Sequence, residues 1–130
     1  MRHLALALMC LGEPVFACAL PEPFFVADIA AGPIVVVATV TDYRVSRTEA
    51  VLTLAVSEVW KGAAPDHLTA RWTFKLAEPP PETWNRPKAV IAALAPDGKG
   101  FELVVETCGQ AWLVPDTPEA RAEVHKALTP

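Results

Sequence analysis

The stretch "HLTARWTFKL" (residues 67–76) alternates between apolar and polar side chains along its whole length. The apolar side chains share one face of an extended chain: Leu68, Ala70, Trp72, Phe74 and Leu76. A period of two is typical of a β-strand. One apolar and one polar face predict a strand of an antiparallel sheet that packs on a core on one side and meets water on the other.

Two more strands are predicted before this stretch. "IVVVATVTDYRV" (34–45) is rich in β-branched side chains, and "AVLTLAVSEVW" (50–60) follows it after the polar "SRTE" (46–49), a pattern that predicts a hairpin. The apolar period of the second strand slips before its C-terminal end. One extra residue near Ser57-Glu58 restores the phase, so the sequence predicts a β-bulge there.

Two further strands are predicted after it. The proline-rich "AEPPPETWNRP" (77–87) is incompatible with a central strand and predicts a long loop. "KAVIAALA" (88–95) is apolar on both faces, which is typical of a buried central strand. "PDGKG" (96–100) is a tight-turn pattern, and Phe101–Glu106 alternates again.

The end of the chain changes to a helical period. Asp116 or Thr117 can cap a helix whose first turn contains Pro118, and three apolar residues four apart predict its buried stripe: Ala120, Val124 and Leu128. A short helical turn is predicted within residues 23–31. Five mainly antiparallel strands and one helix predict a mainly β fold, a small five-stranded OB-like partly open barrel with a C-terminal α-helix.

Residues 1–17 have the pattern of a secretory signal peptide. A polar start at Arg2 precedes the apolar run Leu4–Leu11, and Val15-Phe16-Ala17 places small or apolar residues before a cleavage point. The run is much shorter than the ~20 apolar residues of a membrane span. We therefore expect export to the periplasm or the medium, with residues 18–130 as a single domain.

The composition and charge of the chain limit the kinds of partner that it can bind. The chain is 52% hydrophobic and 20% charged with a net charge of -4, and its Arg and Lys are scattered, so nucleic acid is not expected as a partner.

Cys18 and Cys108 are the cysteines beyond the signal. An even number in an exported chain predicts a disulfide bond.

Lipidation of Cys18 is the alternative. "VFAC" (15–18) partly fits the end of a bacterial lipoprotein signal, although Phe16 is bulky for its position. A lipidated Cys18 would leave Cys108 as an unpaired thiol in an oxidising compartment. In this alternative the same domain is anchored to a membrane; without lipid, no membrane association is expected.

Several stretches in this order resemble a known family. They are "VVVATVTDY" after the first mature cysteine, a strand that closes in "VSEVWKG", and "VVETCGQAWLV" with Cys108. Over roughly residues 18–115 the chain resembles the tissue-inhibitor-of-metalloproteinases-like (netrin-like) domains of short exported bacterial proteins. The resemblance implies an OB-like barrel, with the N-terminal arm tied to it by a disulfide between Cys18 and Cys108.

The resemblance also implies a function for the mature N-terminus. In the animal inhibitors, the amine and carbonyl of the N-terminal cysteine chelate the zinc ion of a metalloprotease, a role that carries over to Cys18 if cleavage follows Ala17. Family members usually begin with Cys-x-Cys, whereas this chain begins Cys18-Ala19-Leu20. These three residues are therefore candidate partner-binding residues of a protease-inhibitor-like module.

No catalytic, metal or cofactor site is expected. His67 and His125 lie in no nucleophile or base motif, and Cys18 and Cys108 lack the close spacing of zinc ligands. The prediction is a non-catalytic domain that binds another exported or envelope protein.

The tryptophans divide into packing residues and one candidate contact residue. Trp72 is expected in the core, Trp60 at the end of the barrel, and Trp112 under the helix. Trp84 lies in the proline-rich loop. It is a candidate interface anchor, and the alternative is a ring folded back over the barrel end.

Overall fold

The computed structural model describes residues 25–47, 49–73, 84, 86–98, 100–105 and 111–129. A 3₁₀ helix comes first, at Val26–Ala31. Six strands and one helix follow: β1 (Ile34–Val45), β2 (Glu49–Lys61), β3 (His67–Thr73), β4 (Ala89–Asp97), β5 (Gly100–Leu103), β6 (Leu113–Pro115) and α1 (Pro118–Leu128). The predicted signal peptide and Cys18, Ala19, Leu20 and Cys108 lie outside the described residues.

The strands form a closed barrel. Their order is β1-β2-β3-β5-β4, and a further antiparallel ladder between β1 and β4, from Ile34↔Leu94 to Thr39↔Ala89, joins the two ends. The β3–β5 pair is parallel, and the other pairs are antiparallel. The predicted mainly β fold, a five-stranded OB-like barrel with a C-terminal helix, is confirmed. The barrel is closed rather than partly open, because β1 pairs with β4, and β6 adds to β4 outside it.

Residues 34–38 of β1 and residues 90–94 of β4 are buried on both faces. Val36 and Ala92 belong to the barrel interior, whereas their neighbours Val35 and Ile91 belong to a second cluster outside the barrel. The 3₁₀ helix and α1 cover that outer cluster. This double burial explains why both strands are runs of apolar residues, and it confirms the central strand predicted at residues 88–95.

The helix α1 begins as the sequence predicts. Thr117 is its N-cap, and the Thr117 hydroxyl accepts a hydrogen bond from the backbone N–H of Ala120 at 3.1 Å. Ala120 and Val124 are buried against the outer cluster, and Leu128 packs beside them. The predicted stripe is therefore the face that holds the helix to the barrel.

The predicted bulge in β2 is also confirmed. Val37 pairs with Glu58 and Ala38 with Val56, so Ser57 is the extra residue. The Ser57 hydroxyl donates to the backbone carbonyl of Val37 at 3.1 Å.

A second register shift in β2 changes the position of a tryptophan. Val36 pairs with Val59 and Val35 with Lys61, which leaves Trp60 between them. Its ring packs against the outer cluster. The expectation that Trp60 caps the barrel end is therefore wrong, because the irregularity turns its side chain towards α1. Trp72 is in the barrel core and Trp112 packs against the outer cluster, as expected.

Two C-terminal details differ from the sequence prediction. The last barrel strand ends at Leu103, and Val105 pairs with Ala111 in an isolated bridge. The β6 strand was not predicted, since three residues are too few to show a period. Among the residues described, no helix has the length and apolar character to cross a bilayer.

Candidate partner-binding groove

A groove of about 770 Å³ lies on the outer face of β3, beside the turn from β4 to β5, and is open to solvent. The β3 strand supplies His67, Thr69 and Arg71, the turn supplies Asp97, and β5 supplies Phe101. Elements distant in the sequence therefore meet here, since β5 runs parallel to β3.

The alternation of β3 sets the polarity of the groove. Leu68, Ala70 and Trp72 are buried in the barrel, whereas the residues between them are exposed. The exposed face presents an imidazole, a hydroxyl and a guanidinium group in steps of two residues. The β3 strand thus packs on the barrel core with one face and supplies the polar wall of the groove with the other.

The opposite wall depends on the tight turn between β4 and β5. Asp97 pairs with Gly100, and Gly98 adopts a left-handed conformation with φ of 48°. Asp97 forms an ion pair with Arg71, whose side chain is 50% exposed. A pair this exposed contributes little to stability. It shows that the side chains of the turn and of β3 meet in the groove.

The groove can offer hydrogen bonds, one ion pair and apolar contact. Phe101 is half-buried and also packs against the barrel core, so its position is fixed. Within the described ranges, no three His, Cys, Asp or Glu side chains are grouped so that they could hold a metal ion.

Trp84 packs at a different place. Its ring lies 4.8 Å from the ring of Tyr43, and its indole N–H donates to the carbonyl of Pro87 at 3.4 Å. The Arg86 guanidinium lies 5.3 Å from the Trp72 ring and 5.7 Å from the Trp84 ring. Burial raises the pKa of Tyr43, and the charge of Arg86 opposes this shift.

Trp84 is half-buried against the barrel core and does not line the groove. The structure thus shows the folded-back packing named as the alternative in the sequence analysis. Partner binding by Trp84 stays a prediction.

A polar network ties α1 to β2 on another surface. Arg121 donates to both oxygens of Asp116, at 2.6 and 3.0 Å, and to Glu58 at 2.9 Å. The Trp60 indole N–H also donates to Glu58, and the Trp60 ring lies 3.9 Å from that of His125. The hydrogen bond from Trp60 is the largest cause of the lowered pKa of Glu58, and the hydrogen bond from Arg121 lowers this pKa further. The imidazole ring of His125 is therefore packed against the ring of Trp60.

Sequence reasoning missed the groove, although its signals were present. The polar face of residues 67–73 and the turn at residues 96–100 were both recognised, but not their proximity, which depends on the parallel β3–β5 pair. Comparisons of the chain with protein-family models, with curated proteins and with solved structures find no match. The case for function therefore depends on the residues and geometry described above.

Proposed function

We propose that the chain is an exported, non-catalytic binding domain that recognises another exported or envelope protein through the groove on β3. The observation that carries this proposal is the solvent-open groove of about 770 Å³ on the outer face of a closed barrel. OB-folds bind oligonucleotides and oligosaccharides across the face of their second and third strands, beside the loops that follow strands one and four. The groove occupies the corresponding place.

The charges favour a protein partner over a nucleic acid. The Arg71 guanidinium in the groove already pairs with Asp97, and the whole chain has a net charge of -4. A site for single-stranded nucleic acid needs an excess of cationic side chains along its length, together with aromatic rings on which bases can stack. The described groove residues include two aromatic rings, the half-buried Phe101 and the imidazole of His67, but no cationic side chain besides the paired Arg71.

A protease-inhibitor-like action is the finer form of this proposal. It is supported by the resemblance to metalloproteinase-inhibitor-like domains and by Cys18 at the expected mature N-terminus. The second candidate is the same domain anchored to a membrane through lipid on Cys18, which "VFAC" (15–18) favours. Inhibition of a zinc protease by mature protein, with loss of inhibition on acetylation of its N-terminal amine, would support the inhibitor form.

The experiment that tests the groove compares two variants of one strand. Thr69 and Thr73 are both exposed on the same face of β3, but only Thr69 lines the groove. Thr69→Arg fills the groove with a long charged side chain, and Thr73→Arg is the matched control. Both proteins are used to capture partners from the exported fraction of the native cells.

We expect Thr69→Arg to lose the partner that the native domain and the Thr73→Arg control retain. Equal capture by both folded variants would contradict the groove as the partner site. Turnover of a substrate by the purified domain would contradict the proposal that it is non-catalytic.

A further inference from the structure

The first residues of β3 have no neighbouring strand beside the groove in the part of the chain that the structure describes. The β3 strand begins at His67, but its pairing with β5 comprises only Ala70↔Phe101 and Arg71↔Glu102. On this side, residues 67–69 face no strand among those that the structure describes. The groove lies along this part of the edge, with the β4–β5 turn as its far wall.

The alternation of hydrogen bonds between β2 and β3 shows which backbone groups of β3 point towards the groove. The backbone N–H of Val56 donates to the carbonyl of Asp66 at 2.7 Å, and β2 and β3 pair as Leu54↔Leu68 and Thr53↔Thr69. Hydrogen-bonded pairs alternate along an antiparallel ladder. Residues 66, 68 and 70 therefore direct their backbone groups to β2, and the residues between them direct theirs to the opposite side.

Pairing with β5 uses only part of this set. Since Ala70 turns its own backbone groups to β2, its parallel bridge with Phe101 runs through Thr69 and Arg71, and engages the Thr69 carbonyl. The N–H of Thr69 and the N–H and C=O of His67 remain directed into the groove. At about 3.3 Å per residue, this edge can pair with a segment of two or three residues.

We propose that the groove takes an extended segment of the partner protein, which adds as a short strand to β3 by pairing with His67 and Thr69. This inference rests on the proposed function. A polypeptide in extended form carries donors and acceptors in the alternation that the edge requires, as in other cases of strand addition. Pro65 has no N–H and marks where the edge ends.

The side chains around the edge restrict the segment further. Asp97 and Glu102 both lie near Arg71, through the ion pair and the strand register respectively. Asp97 lines the groove and Glu102 lies beside it in register with Arg71, so two carboxylates lie near one guanidinium, and a basic residue complements this place better than an acidic one. Phe101 offers an apolar contact. Phe101 lies in register with Ala70, which faces the barrel interior, whereas Glu102 lies in register with the outward-facing Arg71. We therefore expect a basic side chain on the outward face of the segment and an apolar side chain next to it on the opposite face.

The test uses a phage-displayed library of linear random heptapeptides selected against the mature domain. The strongest selected peptide is titrated against native protein, Thr69→Pro and Thr69→Val. Thr69→Pro removes the N–H that points into the groove but no ladder bond to β2, and Thr69→Val keeps this N–H and the β-branched shape. We expect the Kd of Thr69→Pro to be about tenfold weaker than that of Thr69→Val, the size of one net backbone hydrogen bond.

Hydrogen exchange of the native protein gives a readout that needs no variant. The peptide should slow exchange of the His67 and Thr69 amides, and ester replacement of alternate peptide bonds should weaken binding in a two-residue period. Equal Kd values for folded Thr69→Pro and Thr69→Val, without amide protection, would overturn strand addition. A library that yields no binder would also overturn strand addition. Protection of the His67 and Thr69 amides without peptide would overturn it as well, because it would show that another segment of this chain pairs there.

The two proposals fail in different ways. If Thr69→Arg abolishes partner capture but Thr69→Pro binds peptide normally, the groove is the site and only strand addition is wrong. If Thr69→Arg leaves partner capture intact, the proposed function itself is wrong.

Discussion

Alanine at Gly62 should destabilise the domain far more than alanine at Gly98. Both glycines have a left-handed backbone, with φ of 73° and 48°. A left-handed conformation costs a residue with a Cβ about 1–2 kcal/mol. Both substitutions should carry this cost, so the difference between them isolates what the added methyl group meets.

The surroundings of the two added methyl groups differ. A Cβ at Gly62 would lie 2.7 Å from the backbone oxygen of Pro33 and 3.0 Å from Cγ1 of Ile34, whereas a Cβ at Gly98 meets no atom within 4 Å. The Pro33 oxygen cannot move without shifting the start of β1, whose residues are buried on both faces. Overpacking of this kind typically costs a further ~1–3 kcal/mol.

We therefore expect Gly98→Ala to lower the free energy of unfolding by about 1–2 kcal/mol and Gly62→Ala by about 2–5 kcal/mol. Urea unfolding of the native protein and both variants, followed by tryptophan fluorescence with a common m-value, measures the difference. Equal losses would refute the reasoning, because they would mean that Pro33 and β1 yield to the methyl group at no cost.

Three further predictions follow from other parts of the molecule. Trp84→Ala should lower the free energy of unfolding by about 1–2 kcal/mol, which is less than the loss for a fully buried tryptophan, because the Trp84 ring is half-buried against Tyr43. An unchanged free energy of unfolding in urea would contradict this packing. Unchanged partner capture by the variant would contradict an interface role for Trp84. Intact-mass analysis of native protein should show loss of residues 1–17 and a further ~2 Da for the bond between Cys18 and Cys108; a gain of several hundred daltons on Cys18 would instead establish the lipid anchor. The lowered pKa of Glu58 means that its stabilising contribution is present above the pKa of an unfolded Glu and is lost as the pH falls through the lower folded value. Glu58→Gln should flatten this part of the stability curve between neutral and acidic pH, and an unchanged acid limb would show that the network on α1 does not depend on the carboxylate.

Parts of the candidate site could be recognised from the sequence and others could not. The exposed positions of Thr69 and Arg71 follow from alternation, and the turn at residues 96–100 follows from its composition. Their meeting as two walls of one groove depends on the two-pair β3–β5 contact. No local pattern records such a pairing, since the partners are some thirty residues apart and the pairing is decided by how the barrel closes.

Several elements of the fold have causes that are local in the sequence. A period of two, a hairpin turn, an N-cap threonine and a helical stripe each act within a few residues, so β3, the β1–β2 hairpin and α1 could be predicted before any packing was known. Even the bulge at Ser57 was visible, because a bulge interrupts the period of its own strand.

Tertiary structure alone decided the features that join distant segments. The β1–β4 ladder closes the barrel, the register shift at Trp60 turns its ring to α1, and Arg121 reaches Glu58 across the outer surface. Each contact depends on the relative position of two elements, which is set by burial of the whole core on folding. The open edge at His67 has the same origin, because β5 begins at Gly100 and leaves the first residues of β3 without a neighbouring strand on that side in the described structure.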